Sequence, residues 1–209
     1  RTLIVATTSY AGMGPYVSEI VNTFSPEDDV YFFFHDYEDD YYRKNIKPEL
    51  YTKSVFYKEA NSAVNKLKEL IFNKPSYEWL IFDICEEYQI KLVHYINEIP
   101  SVKTQEKFEN KGIQVLSTVH DLYPHEAKKV WYKQFRQNLS YKRLKENLLV
   151  AQLLVTNSHE QYEKLNNLFP EKKVYFHEFP SLVTPEITNG KKVPHELKDF
   201  NKPYILFFG

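Results

Sequence analysis

Short apolar runs alternate along this chain with longer stretches whose apolar residues recur at helical spacing. TLIVATTS (2–9), DVYFFFHD (29–36), YEWLIFDI (77–84), IQVLSTV (113–119), QLLVTN (152–157) and KVYFHEF (173–179) are nearly continuous and rich in β-branched or aromatic side chains. Strands covered on both faces need that composition, so each run predicts a buried parallel strand. Between them, EANSAVNKLKELIF puts Ala60, Ala63, Val64, Leu67, Leu70 and Ile71 on one apolar stripe, and KKVWYKQFRQNLSYKRLKENLLVAQ repeats the pattern over a longer span. SHEQYEKLNNLF opens with Ser158 and carries Gln161 at the position of a capping box.

Strand and helix in alternation predict an α/β domain: a Rossmann-like, doubly wound, mostly parallel sheet, because parallel neighbours need crossovers and helices supply them. Such sheets bind ligands at the carboxyl ends of their strands. The pattern assigns residues 1–180 to this domain and residues 181–202, polar and rich in Pro and Lys, to a linker. PYILFFG (203–209) then reads as the first strand of a further domain, since a terminal apolar strand leaves an edge exposed.

Composition narrows the function classes. Hydrophobic residues at 43% and charged residues at 26% describe a globular chain rather than a disordered one. A formal net charge of -1 argues against bulk nucleic acid as the main partner, because neutralising phosphates needs a basic surplus. Cys85 is the lone cysteine, which excludes an internal disulfide and fits a reducing, cytoplasmic setting. No apolar stretch reaches the roughly 18 to 20 residues that span a bilayer. Basic and aromatic positions such as Lys128, Lys129, Trp131, Lys133 and Arg136 leave open a peripheral contact with anionic lipid, against the plainer account of a solvated helix face.

Candidate chemistry collects where strands end. SYAGMGPYVSEIV follows the first strand; Gly12 and Gly14 permit positive φ and close backbone approach, and Pro15 suits a first helical turn. That loop is either a tight turn or a ligand loop offering helix N-terminal N–H groups. STVHDLYPHE gathers His120, Asp121, His125 and Glu126 behind an apolar run. A solvated loop, a sugar or phosphate site built on His120, and a metal-dependent hydrolase site are the alternatives, with Pro124 opposing a helical two-histidine arrangement. VTNSHEQ brings Asn157, Ser158, His159 and Glu160 to the same rim, although Ser158 is explained by capping alone. FFFHDYEDDYYRK mixes aromatics with Asp36, Glu38, Asp39 and Asp40, as a sugar site would, or as a strand followed by an acidic helix start would. Templates for a serine nucleophile turn and for a triphosphate loop are missing from the sequence. Cys85 reads as a buried, inert thiol that follows a strand.

The ordered set SYAGMGPYVSEIV, STVHDLYPHE and LLVTNSHEQYEKLNNLFPEKKVYFHEFP, leading through the linker to PYILFFG, is similar to the amino-terminal half of GT-B glycosyltransferases. It most resembles the large retaining family, family-four-like, that builds bacterial polysaccharides and glycolipids. The resemblance implies two Rossmann-like domains facing a cleft, with the acceptor mostly on the first and a nucleotide-diphosphate sugar held as co-substrate mostly on the second. It implies no metal and no tightly bound cofactor. His120 matches the histidine beside the transferred sugar, and Asp121 the residue positioning that turn. Ser158 and Glu160 match the loop after the next strand, and Gly12, Met13 and Gly14 the loop lining the cleft. The first loop reads AGMGP where the family has adjacent glycines. The implied partner is a saccharide or lipid-linked acceptor, and the donor half lies beyond PYILFFG, so the fragment alone would not turn over. A non-catalytic sugar- or nucleotide-binding module on the same sheet stands as the alternative, since fold does not fix function.

Overall fold

A computed structural model describes residues 1–10, 12–36, 40–58, 77–122 and 131–179. Its strands are β1 (Thr2–Ala6), β2 (Val30–His35), β3 (Ser54–Tyr57), β4 (Leu92–Tyr95), β5 (Gln114–Val119), β6 (Leu153–Thr156) and β7 (Lys173–Phe176). They form one 7-stranded sheet in the order β3-β2-β1-β4-β5-β6-β7, and every neighbouring pair runs parallel. The helices are α1 (Met13–Val21), α2 (Tyr41–Asn45), α3 (Glu78–Glu87), α4 (Val102–Asn110), α5 (Trp131–Val150) and α6 (His159–Leu168), with a 3-10 helix at Pro48–Lys53. The fold is the Rossmann-like doubly wound α/β arrangement.

The period of two in the central strands explains why their sequences read as solid apolar runs. On β1, Leu3 and Val5 face a core shared with Phe33, Val93, Val115 and Ile81, Ile84 and Cys85 of α3. Ile4 and Ala6 face the opposite core, with Phe32, Phe34, Tyr42 and Tyr16, Val17 and Val21 of α1. Both faces of the strand are buried, so no polar alternation survives in the sequence. A third core joins Val119 and Leu154 to Leu148 of α5 and Leu165 and Phe169 at the end of α6.

YEWLIFDI is not a strand: residues 78–84 belong to α3. Tyr77, Ile81, Ile84 and Cys85 are buried while Trp79 is 61% exposed, which is a helical stripe rather than two covered sheet faces. Cys85 therefore lies within a helix. The sheet positions left by this correction are filled by SVFY and LVHY, strands of four residues, too short to stand out as apolar runs.

Helix ends follow local chemistry. Ser101 caps α4, its hydroxyl accepting from the Thr104 N–H at 3.2 Å. That helix closes through Gly112, whose φ of 68° lets the Ile113 N–H reach back to the Phe108 carbonyl at 2.9 Å. The amphipathic stretch 60–71, residues 123–130 with His125 and Glu126, and residues 180–209 with the linker and PYILFFG lie outside the described residues. So do Lys128, Lys129, Glu38, Asp39 and the side chains of Trp131, Lys133 and Arg136. Among the described residues no helix is long and apolar enough to cross a membrane.

Candidate functional site

Seven parallel strands deliver their carboxyl ends to one rim. The order reverses between β1 and β4, so the chains leaving these two strands diverge and open a crevice. Asn97, just past β4, ties the crevice floor together. Its side-chain oxygen accepts from the Thr7 N–H at 2.9 Å, and its amide donates to the Thr8 carbonyl at 2.7 Å.

The glycine loop behaves otherwise than its sequence suggests. Gly12 caps α1 with φ of -73°, an ordinary helical value, and among the described glycines only Gly112 has positive φ. The expectation that Gly12 and Gly14 serve positive φ is therefore corrected. Gly14 is needed for close approach, since a Cβ there would lie 2.6 Å from the Tyr41 ring and 2.9 Å from the Ser9 carbonyl oxygen. Of the first-turn donors, the Met13 N–H goes to the Tyr10 carbonyl at 3.2 Å and Pro15 has none. Gly14 is left as the remaining donor, which is a poor anion nest.

Tyr16 links this loop to the β5 side of the rim. Its hydroxyl donates to Asn157 Oδ1 at 3.1 Å, and burial holds the phenol above its ordinary pKa, against hydrogen bonds with Asn157 and Thr118. Phe179 stacks on the Tyr16 ring at 4.8 Å between centroids, and the His120 ring meets it edge-on at 5.0 Å. Phe179 keeps 46% of its surface exposed and Tyr10 keeps 84%, so aromatic faces are open to a ligand at this end of the sheet.

His120 sits one residue past β5. Its Nε2 lies 2.9 Å from the Ile96 carbonyl, and a carbonyl only accepts, so Nε2 carries the proton and Nδ1 holds the lone pair in the neutral ring. Burial pushes the imidazole below its usual pKa, while the Ile96 carbonyl and the Asp121 carboxylate pull the other way. The ring is a neutral acceptor at physiological pH. Gln161, in the first turn of α6, donates from its side-chain amide to the His120 main-chain carbonyl, and its buried Oε1 has no hydrogen-bond partner.

The other expected residues distribute unevenly. Asp121 is exposed and acts on His120 through its charge. Ser158 caps α6, its Oγ accepting from the Gln161 N–H at 3.4 Å, so its side chain serves the helix. The other half of a capping box is not made: the Ser158 N–H goes to Thr156 Oγ1 at 3.4 Å, and Gln161 Oε1 has no partner. Glu160 pairs with Lys164 one turn along the exposed side of α6, which lowers its pKa, and Met13 is half-buried at the start of α1. Asp36 is buried at the end of β2, where its carboxylate oxygens accept from the Tyr42 N–H at 3.1 Å and the Arg43 N–H at 3.2 Å. It caps α2 and is not available to a ribose. Cys85 has its thiol pushed up to about 12 by burial, which makes it unreactive.

Two rim residues carry no signal in the sequence patterns above. His94, on β4, places Nε2 2.8 Å from Thr118 Oγ1; burial, then the charges of His120 and His177, depress its pKa to about 4. Glu98 follows Asn97, and burial raises its pKa against hydrogen bonds from Thr7 and Tyr77. The nearest signal is LVHYINEIPS itself, a short apolar strand running into a Pro-Ser helix start.

The described segments after β1, β4, β5 and β6, residues 7–10, 96–101, 120–122 and 157–158, contain no Lys or Arg, while Lys58 after β3 pairs with Asp40. They offer neutral donors and acceptors, aromatic faces and carboxylates, a set suited to hydroxyl groups more than to phosphates. No group of three or more His, Cys, Asp or Glu among the described residues is placed to hold a metal ion.

No family model matches the chain, and no curated protein matches it. Among solved structures, phosphoribosyl anthranilate isomerase in complex with reduced 1-(o-carboxyphenylamino)-1-deoxyribulose 5-phosphate aligns at 12% identity over 85% of this chain and 86% of that one, with a TM-score of 0.23. The isomerase from Thermotoga maritima aligns at 12% identity over 84% and 86%, also with a TM-score of 0.23. Scores that low describe no shared fold.

Proposed function

We propose that this chain is the acceptor-binding domain of a glycosyltransferase that moves a sugar from a nucleotide-diphosphate sugar to a saccharide or lipid-linked acceptor. The observation that supports it best is His120: a neutral ring on the rim beside the strand-order reversal, oriented through Nε2 with Nδ1 left to accept, and edge-on to the Tyr16 ring on which the exposed Phe179 stacks. A group so held accepts a hydrogen bond from a sugar hydroxyl without needing to reorganise. The described parts of the loops after β1, β4, β5 and β6 carry no lysine or arginine, which fits the acceptor side, and the diphosphate then falls to a second domain supplied by the full-length protein. The reaction is read as retaining and metal-independent, catalysed by positioning and by stabilising the leaving diphosphate.

The test is sugar transfer by the full-length protein from a panel of nucleotide-diphosphate sugars. His120→Ala is expected to lower kcat/KM by about 10²-fold or more while leaving the melting temperature within a few degrees. Wild-type turnover in that variant would remove His120 from the site.

A further inference from the structure

We infer that the outward face of α5 docks on an anionic lipid surface, an assignment that stands apart from the glycosyl-transfer reading. The helix is apolar on two sides where packing needs one. Its inner side places Leu148 in the core with Val119, Leu154 and Leu165, and Leu144 packs against the same cluster. On the other side Phe135 is 66% exposed, Leu139 42% and Leu149 62%. Exposed apolar residues scattered singly mean little, but these are aligned. At helical spacing they and Val150 share an arc of about 100°, turned away from Leu144 and Leu148.

Charge names the occupant. Lys142 lies within that arc, Arg143 and Lys145 flank it on opposite sides, and all of them are exposed. Glu146 is the lone acid in the helix sequence, and it pairs with Lys142 at 4.0 Å. Together with Lys133 and Arg136 of the same helix, these bases outweigh Glu146 in a chain whose formal net charge is -1, so the rest of the chain is acidic on balance. An apolar strip with long basic side chains on both edges matches a bilayer that carries anionic headgroups. The apolar groups enter the acyl boundary, while the Lys and Arg stems lie along it and bring their charges to the headgroups. A second copy docked on this face would set one basic strip against another. A nucleic acid would meet the bases but leave the apolar strip without a partner.

Length and direction decide where such a surface would lie. The helix runs from the carboxyl end of β5 to the amino end of β6, and its 20 residues extend about 30 Å. β6 has 4 residues and spans about 13 Å. Leu144 and Leu148, which hold α5 to the core, belong to its second half. The half bearing Phe135 and Leu139 therefore reaches past the carboxyl ends of the strands, the end of the sheet that holds His120. A lipid surface seated on this face borders that rim.

The experiment is co-sedimentation of the full-length protein with vesicles of phosphatidylcholine alone, and of phosphatidylcholine with about one third phosphatidylglycerol. The wild type is expected to bind the anionic vesicles about tenfold or more tightly than the neutral ones, and to lose that preference in about 0.5 M salt. Phe135→Ser with Leu139→Ser, and separately Lys142→Glu with Lys145→Glu, should each weaken binding to the anionic vesicles about tenfold. These side chains are exposed, so both variants should melt within about 3 °C of wild type. Binding to neither vesicle, equal binding to both, or wild-type affinity in either variant overturns the assignment. A dimer in sedimentation velocity that dissociates in Phe135→Ser with Leu139→Ser, without vesicle binding, overturns it in favour of a second copy. Sugar transfer plays no part in the readout, so failure of the glycosyl-transfer reading is a separate result.

Discussion

The loop after β1 and the loop after β4 make opposite impressions in sequence and in structure. AGMGP looks like a ligand loop, but the Met13 N–H is used within the loop, Pro15 has none to give, and its second glycine exists to admit the Tyr41 ring. INEIP looks like connecting chain, but it carries the clamp at the strand-order reversal and a carboxylate with a raised pKa. Hydrogen-bonding capacity left over after the fold has been satisfied marks the site better than residue type does. Spent capacity explains Asp36 in the same way: a buried acid at the end of β2 is consumed by the start of α2.

The largest effect that would sharpen this contrast is the pH dependence of stability on the β4 side. Half-buried, neutral His94 has its folded pKa depressed to about 4, so below the unfolded value near 6.5 the unfolded chain binds more protons than the folded one. Stability is therefore complete above that pH and falls as pH drops toward 4, by at most about 3 kcal/mol from this group. His94→Gln, which keeps a partner for Thr118, should flatten the denaturant midpoint between pH 6.5 and 4 relative to wild type. An unchanged slope would mean that His94 is not held neutral by burial.

On the β1 side the expected effect is steric. Gly14→Ala puts a methyl group 2.6 Å from the Tyr41 ring and 2.9 Å from the Ser9 main-chain oxygen. The ring can shift but the backbone yields less, so a loss of roughly 1 to 3 kcal/mol is expected in urea unfolding. Tyr41→Ala in the same chain should recover part of that loss, because it removes one of the two obstacles. No recovery would place the cost in the backbone contact.

How much was legible follows from the same physics. The long strands showed themselves because both faces are buried, and Ser158 announced α6 because a cap is local chemistry. YEWLIFDI misled, because a short continuous apolar run has no period to distinguish helix from strand until its partners are known. The partner that decides it, the shared face of Phe33, Val93 and Val115, comes from strands distant in the chain. Glu98 was hidden for a related reason. Its position on the rim depends on reading LVHY as a strand, and its raised pKa depends on burial, against the hydrogen bond from Thr7, a residue 91 positions earlier in the numbering. His120 was visible because one strand and one loop were enough to place it.

The smallest effect breaks the comparison most directly. Gly12 has helical φ, and a Cβ built there meets nothing within 4 Å. Gly12→Ala should therefore change stability by no more than about 0.5 kcal/mol, the slight penalty of alanine at a cap set against its lower unfolded-state entropy. Its affinity for inorganic pyrophosphate should equal that of wild type, because the loop offers Gly14 as its remaining first-turn donor. A phosphate loop in use behaves differently: its backbone approaches the ligand closely, and a methyl group in that approach weakens binding. If Gly12→Ala folds normally but loses pyrophosphate affinity tenfold, the β1 loop regains the anion-binding role that its glycines suggest. The crevice between β1 and β4 would then receive the donor's phosphates rather than the acceptor alone.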